Sequence, residues 1–159
     1  MNLVMRQVPM EWHYATVWKP KFDLDDYGFE PHWWDAEVRS AELDRNEFFR
    51  WTLDGHEVAR AHIDHGSEFK IHYDALMRHS EPTYSIPFFE VRGNSRRQGI
   101  GREAIRQLED KYPDQLLAAF SENADGFWAN NGWVLCARAD GDTLFRPLFA
   151  SAPKRHGAT

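Results

Sequence analysis

Arg96, Arg97, Gln98, Gly99, Ile100, Gly101 and Arg102 are the residues whose types and spacing speak most directly of chemistry. Two glycines two positions apart let a chain turn tightly and bring its backbone close to a ligand, and a helix starting there leaves its first N–H groups unpaired. Such a turn is an anion cradle, with a phosphate or pyrophosphate as natural occupant. Arg92 and Arg106 crowd the same stretch. The plainer alternative is a solvated basic turn that caps a helix.

A second set is acidic and aromatic. Within Phe22 to Asp35, Asp25, Asp26 and Tyr27 precede Trp33 and Trp34, and carboxylates beside rings attract a cation by charge and by cation–π contact. The alternative is a solvated acidic loop with Trp34 in the core. His62, Asp64, His65, His72 and Asp74 are metal-ligand types. In a strand, however, His62 and His65 point to opposite faces, so surface histidines and no metal are expected. Cys136 has no His beside it in sequence and is read as packing.

The elements that must position these groups follow from periodicity. Ile86 to Val91 is a strand-like run, and Ile100, Ala104, Ile105, Leu108 and Tyr112 share one helix face, with Arg102, Glu103, Arg106, Gln107, Glu109 and Asp110 opposite. Pro113 ends that helix, and Gln115 to Phe120 reads as a buried strand, so a βαβ-like unit surrounds the glycine turn. Upstream, Leu3 to Val8 is a first strand, and Pro9 to Trp18 reads as a short helix with Tyr14, Val17 and Trp18 on one side. Pro31 suits the first turn of a second helix carrying Trp34, Val38 and Ala41 inward. Glu47 to Leu53 and His56 to Ile63 form a hairpin, since Asp54-Gly55 supplies the positive φ angles of a tight turn. Residues 64–83 show no sustained period and read as loop with irregular strand or helix. Ala124 to Asn131 is a short helix closed by Gly132, and Trp133 to Ala139 and Thr143 to Phe149 alternate like strands across Asp140-Gly-Asp.

At 159 residues with one cysteine the chain needs no disulfide to fill a core, and it reads as a single domain over residues 1–150 with a frayed tail from Ser151. The cysteine usage, and the lack of a basic-then-apolar leader, point to the cytoplasm. No apolar run approaches membrane-span length, so no membrane association is expected. The net charge of −6 argues against nucleic acid. Aromatic residues make up 14% of a chain whose mean hydropathy is −0.67, so the rings must fill a core or line a pocket.

Gly99-Ile-Gly101-Arg-Glu-Ala104, with Glu122 some twenty residues on, fits a loose dinucleotide fingerprint. That fold places its first glycine directly after the strand, whereas Arg92 to Gln98 intervene here, and too little chain follows Glu122 for further βαβ units. The arginines favour another reading. Val91-Arg-Gly-Asn-Ser-Arg96-Arg-Gln-Gly99-Ile-Gly101 resembles the acetyl-coenzyme A motif of the GNAT-type N-acetyltransferase superfamily, a strand-ending valine followed by Arg/Gln-x-x-Gly-x-Gly/Ala. Phe127-Trp128-Ala-Asn-Asn-Gly132-Trp133 resembles the Phe-Tyr-x-x-x-Gly-Phe segment of the same superfamily.

The resemblance implies an α/β (α+β) fold: a mixed, mostly antiparallel central sheet of six or seven strands with about four helices. It implies acetyl-coenzyme A as co-substrate and a small-molecule or peptide amine as acceptor, attacked directly in a ternary complex, and it allows a homodimer. The N–H groups of residues 97–102 would hold the pyrophosphate, so Arg96, Arg97, Gln98, Gly99, Ile100, Gly101 and Arg102 bind the coenzyme. Phe89 and Val91 would pair their backbone with pantetheine, and Trp128 would line the same site. The thiolate-protonating tyrosine of the family is replaced by Trp128, and a base position of some members falls on Ser85, with Pro87 nearby. Glu90, Ser121, Glu81 and His79 are the remaining acid–base candidates, Glu90 and Ser121 foremost; ion pairing and helix capping are their structural alternatives. Asp25, Asp26, Tyr27 and Trp33 fall where the family covers its acceptor. A non-catalytic acyl-coenzyme A binding module is the rival reading.

Overall fold

The computed structural model describes residues 1–152. Strand order in the main sheet is β1 (Leu3–Gln7), β5 (Asn46–Leu53), β6 (His56–Asp64), β7 (Thr83–Val91), β8 (Leu116–Phe120), β10 (Leu148–Ala150), β9 (Val134–Cys136), seven strands that are mostly antiparallel, and a second sheet has the order β2 (Met10–Tyr14), β3 (Val17–Pro20), β4 (Val38–Arg39). Contacts divide the chain into two units, one of Met1–Asp64 with Phe88–Gln107, the other of His65–Pro87 with the chain from Leu108 onward.

In the first unit, β1 (Leu3–Gln7) pairs antiparallel with β5 (Asn46–Leu53), which pairs with β6 (His56–Asp64). The β5–β6 turn is the expected Asp54-Gly55, at φ +52° and +82°. Pro9 to Trp18 is not the expected helix. It is a hairpin of β2 (Met10–Tyr14) and β3 (Val17–Pro20), turning at Ala15 with φ +47°. The residues explain the difference: Trp12, Tyr14, Val17 and Trp18 favour a pleated surface, and Trp12 sits directly across from Trp18. The second expected helix lasts one turn, α1 (Pro31–Trp34). Lys19 Nζ holds Asp35 at 2.7 Å just after it, and Val38 leaves to pair with Trp18 in β4 (Val38–Arg39). Trp34 and Val38 are buried as expected, but Ala41 is exposed. With Val8, Phe22, Phe29 and Phe48 they form the unit's aromatic cluster.

The second unit begins with the segment that lacked a period. It forms a 3-10 turn (Glu68–His72) and one turn of helix, α2 (Asp74–Met77), which bury Tyr73 and Leu76; Lys70 Nζ ties it together, donating to the carbonyls of His79 and Glu81 at 3.1 Å. Here β7 (Thr83–Val91) pairs in parallel with β8 (Leu116–Phe120) from Thr83↔Leu116 to Ile86↔Ala119. Pro87 follows, with no N–H to continue that ladder. The unit then runs through α4 (Asp125–Asn130), closed at Gly132 with φ +79°, to β9 (Val134–Cys136) and β10 (Leu148–Ala150). These last strands are antiparallel but shorter than expected. Asp140 and Asp142 capture the N–H groups of Asp142 and Leu144, holding residues 140–144 in local turns instead of a ladder. Ser151, expected in a frayed tail, is buried and bonds Leu117 in both directions at 2.8 and 2.9 Å; the tail from Pro153 lies outside the described residues.

Helix α3 (Ile100–Lys111) buries Ile100, Ala104, Ile105, Leu108 and Tyr112 as its periodicity requires. Gln107 departs from the expected exposed face: its side chain accepts from Trp51 Nε1 at 3.1 Å and donates to the Leu3 carbonyl at 3.0 Å.

Candidate functional site

The glycine turn is built by three consecutive devices. Arg92 N–H closes onto the Val58 carbonyl at 2.8 Å, a 3-10 turn over Gly93–Ser95 reverses the chain, and Arg97 and Gly99 adopt φ of +63° and +78°. Left-handed residues in a turn of this kind can bring successive N–H groups toward one anion. Among the described residues none of the N–H groups of residues 97–102 meets an acceptor, the first ladder bond being Glu103 N–H to Gly99 O at 3.1 Å. These donors stand at the N-terminus of a twelve-residue helix, where an anion gains about 0.3–1 kcal/mol. Arg96, Arg97, Gln98, Gly99 and Arg102 are exposed around them, and Ile100 is buried as the anchor. Arg96 bends back, its Nε donating to the Val91 carbonyl at 3.1 Å. Phe89 and Val91 are half-buried on the strand that feeds the turn.

No family model and no curated protein matches the sequence. Solved structures do. A GNAT-family protein from Desulfovibrio desulfuricans matches with TM-score 0.54 and 13% identity over 94% of this chain and 98% of its own. A GNAT-family acetyltransferase from Elizabethkingia anophelis, solved with acetyl-CoA bound, matches with TM-score 0.53 and 11% identity over 94% and 97%. An acetyltransferase from Thermus thermophilus matches with TM-score 0.51 and 14% identity over 70% and 68%. The chain has the GNAT-type acetyltransferase fold. In this chain β7 is the strand that precedes the glycine turn, and α4 lies at the start of the Phe127–Trp133 segment.

On this GNAT-type frame the acidic stretch is more committed than its composition suggests. Asp26 forms a bidentate pair with Arg92, with Nη1 to Oδ1 at 2.8 Å, and also accepts from Gly28 N–H at 3.1 Å. The bond from Arg92 holds the Asp26 carboxyl below its ordinary range. Both Arg60 and Arg92 lie over the Phe29 ring, their Cζ atoms 4.1 and 4.8 Å from its centroid. Asp25 and Tyr27 stay exposed, whereas Trp33 is half-buried and stacked on Phe88 at 5.2 Å. An open cleft of about 720 Å3 borders Asp23, Asp26, the Asp54–Gly55 turn and Arg92.

The acid–base candidates all have partners. Glu90 is buried, and its carboxylate accepts from Glu30 N–H at 3.0 and 3.2 Å and from Trp34 Nε1 at 2.8 Å, in place of an arginine partner. Ser121, at the end of β8, donates to Asp125 Oδ1 at 2.6 Å and accepts from Ala124 N–H at 3.1 Å, beside an open cleft of about 610 Å3. Ser85 is buried within β7, opposite Ala118. Trp128 is buried, its ring centroid 4.7 Å from that of Trp133. Burial pushes the Cys136 thiol up, away from a reactive thiolate. Of the three histidines of metal-ligand type, His72 is exposed as expected, whereas His62 and His65 are half-buried and stack on Phe48 at 4.2 Å and on Tyr84 at 4.1 Å. The Asp26–Arg92 and Glu90–Trp34 pairings were missed in the sequence, because nothing local marks partners more than fifty residues apart.

Proposed function

We propose that this protein transfers an acetyl group from acetyl-coenzyme A to a primary amine by direct attack in a ternary complex. The observation that carries it is the run of unpaired N–H groups over residues 97–102 at the start of α3, on a fold shared with acetyltransferases. Those donors, with Arg97 and Arg102, suit a pyrophosphate. We assign pantetheine to the main chain of Phe89–Val91, beyond the end of the β7–β8 ladder, where Arg96 Nε holds the Val91 carbonyl. In the reaction the neutral amine nitrogen bonds to the acetyl carbon, the C–S bond breaks, and the thiolate takes a proton as the amine gives one up. Ser121, paired with Asp125, is the group we assign to relay a proton through water. The exposed Asp25 carboxylate and Tyr27 ring remain the long-range attraction for a cationic acceptor. No metal enters the scheme. We place the protein in the cytoplasm, consistent with its single cysteine; no helix among the described residues is long and apolar enough to cross a membrane.

One feature favours a non-catalytic acyl-coenzyme A binding module as the second reading. Trp128 and Ser85 occupy the acid and base positions suggested by family resemblance, and both are buried. Calorimetry with acetyl-coenzyme A, together with thiol release over a panel of primary amines, separates the two. Binding with turnover on at least one amine is expected. Tight binding with no turnover on any acceptor supports the module, and absence of binding removes both.

A further inference from the structure

Building on the acetyl-transfer reading, we propose that Glu90 is a positioning residue for the acceptor. It clamps the one-turn helix α1 so that Trp33, stacked on Phe88, presents an aromatic wall beside β7, selecting amines with a flat or apolar flank over bare polycations.

A helix of four residues cannot hold itself, because nucleation fixes several dihedrals for one hydrogen bond. Its N-cap, Glu30, makes no side-chain capping bond. The cap comes from elsewhere: the Glu90 carboxylate, 6% exposed, accepts the Glu30 N–H on both oxygens and the Trp34 indole N–H on one. Such bonds to a buried carboxylate are the strong, charge-assisted kind. They also turn both oxygens toward α1, where a general base would turn one toward a substrate proton. Among the described residues no Lys, Arg or His side chain pairs with Glu90, so these N–H dipoles are its counter-charge.

Strand alternation puts Phe88 on the same face of β7 as Glu90. Trp34 is wholly buried there, edge-on to Phe88 at 6.4 Å, while its neighbour Trp33 lies nearly flat on Phe88 with an interplanar angle of 28°. Trp33 and Phe88 are each half-buried, which leaves ring surface for a ligand. The charges that would instead select a polycation are reduced at this place, since Asp26 is bound to Arg92 and Glu90 to α1. What α1 offers a substrate is therefore ring surface.

The test compares 2-phenylethylamine with putrescine on the full chain, for wild type, Trp33→Ala, Glu90→Gln and Glu90→Ala. Trp33→Ala should raise the KM for phenylethylamine about 5- to 10-fold with the KM for acetyl-coenzyme A within about twofold. Glu90→Gln keeps a carbonyl oxygen for the indole N–H, so it should raise acceptor KM severalfold, lower kcat no more than about threefold and keep the acidic limb of the pH profile; Glu90→Ala should be worse. Loss of that limb in Glu90→Gln, or a hundredfold fall in kcat at unchanged KM, overturns positioning in favour of a base. Two measurements stand apart from turnover. The Trp34 indole N–H in a proton–nitrogen spectrum should exchange slowly in wild type and fast in Glu90→Ala; no change overturns the clamp. Calorimetry should show phenylethylamine bound more tightly than putrescine; the reverse, or equality, overturns the wall. Amines that bind in that order without turnover would instead count against acetyl transfer alone.

Discussion

His62 offers a measurable link between this fold and pH. Its ring is half-buried, lies nearly parallel to Phe48 and sits with Nε2 2.7 Å from Asn46 Oδ1. Asn46 Nδ2 donates to the Glu42 carbonyl at 3.0 Å, which fixes the amide so that its oxygen faces the ring. Nε2 therefore carries the proton and Nδ1 does not. Burial lowers the pKa from 6.5 to about 4, with nearby Asp64 opposing. The unfolded chain takes up a proton as pH falls through 6.5, whereas the folded one resists it until about 4. Stability from this group is thus complete above pH 6.5 and is lost on the way down to pH 4. At pH 4.5 the loss amounts to about 2–3 kcal/mol, near 1.4 kcal/mol per pH unit over most of the interval. Asp26 and Glu103, whose carboxyls are held low by Arg92 and Arg106, weaken the fold only as pH drops further. Urea unfolding followed by tryptophan fluorescence, at pH 7.5 and 4.5, should show wild type losing about 2–3 kcal/mol more than His62→Gln. Equal pH dependence in the two proteins, or a His62 ring titrating near 6.5 by NMR, would refute the reasoning.

Three further outcomes are expected. Gly28→Ala places a Cβ 2.1 Å from Arg92 Nη1, displacing that guanidinium from Asp26; thermal unfolding should report a loss of about 1–3 kcal/mol, and Asp26→Asn on that background should add little. Arg97→Gln and Arg102→Gln should each weaken acetyl-coenzyme A about 2- to 5-fold by calorimetry, with the effect shrinking at high salt. Ser121→Ala removes the acceptor for Ala124 N–H, and denaturant unfolding should register about 0.5–2 kcal/mol, separately from any fall in kcat.

The parts of this molecule that could be read in the sequence are those where cause is local. Asp54-Gly55 announces a turn because few residue pairs tolerate two positive φ angles, and the α3 stripe announces its own buried face. The glycine turn belongs mostly to the same class: the Gly93–Ser95 turn, Arg97 and Gly99 shape it locally, while the Arg92 N–H bond to the Val58 carbonyl reaches outside. Residues 9–20 could not be read so easily: Tyr14, Val17 and Trp18 fit helical spacing by coincidence, and the cross-strand pairs that oppose it, Trp12–Trp18 among them, have no local mark. Asp26 looked free to meet a substrate for a related reason. Its partner, Arg92, is remote in sequence and was equally credible as one more cation of the phosphate turn.

Two arginines, Arg60 and Arg92, share the Phe29 ring, and loop 23–30 supplies the Asp23 carbonyl to one and the Asp26 carboxylate to the other. That loop therefore cannot be exchanged like an ordinary surface insertion. A graft lacking Phe29 and Asp26 would remove the ring that both cations share and the carboxylate that holds Arg92, so the loop and the two arginines have to be moved together.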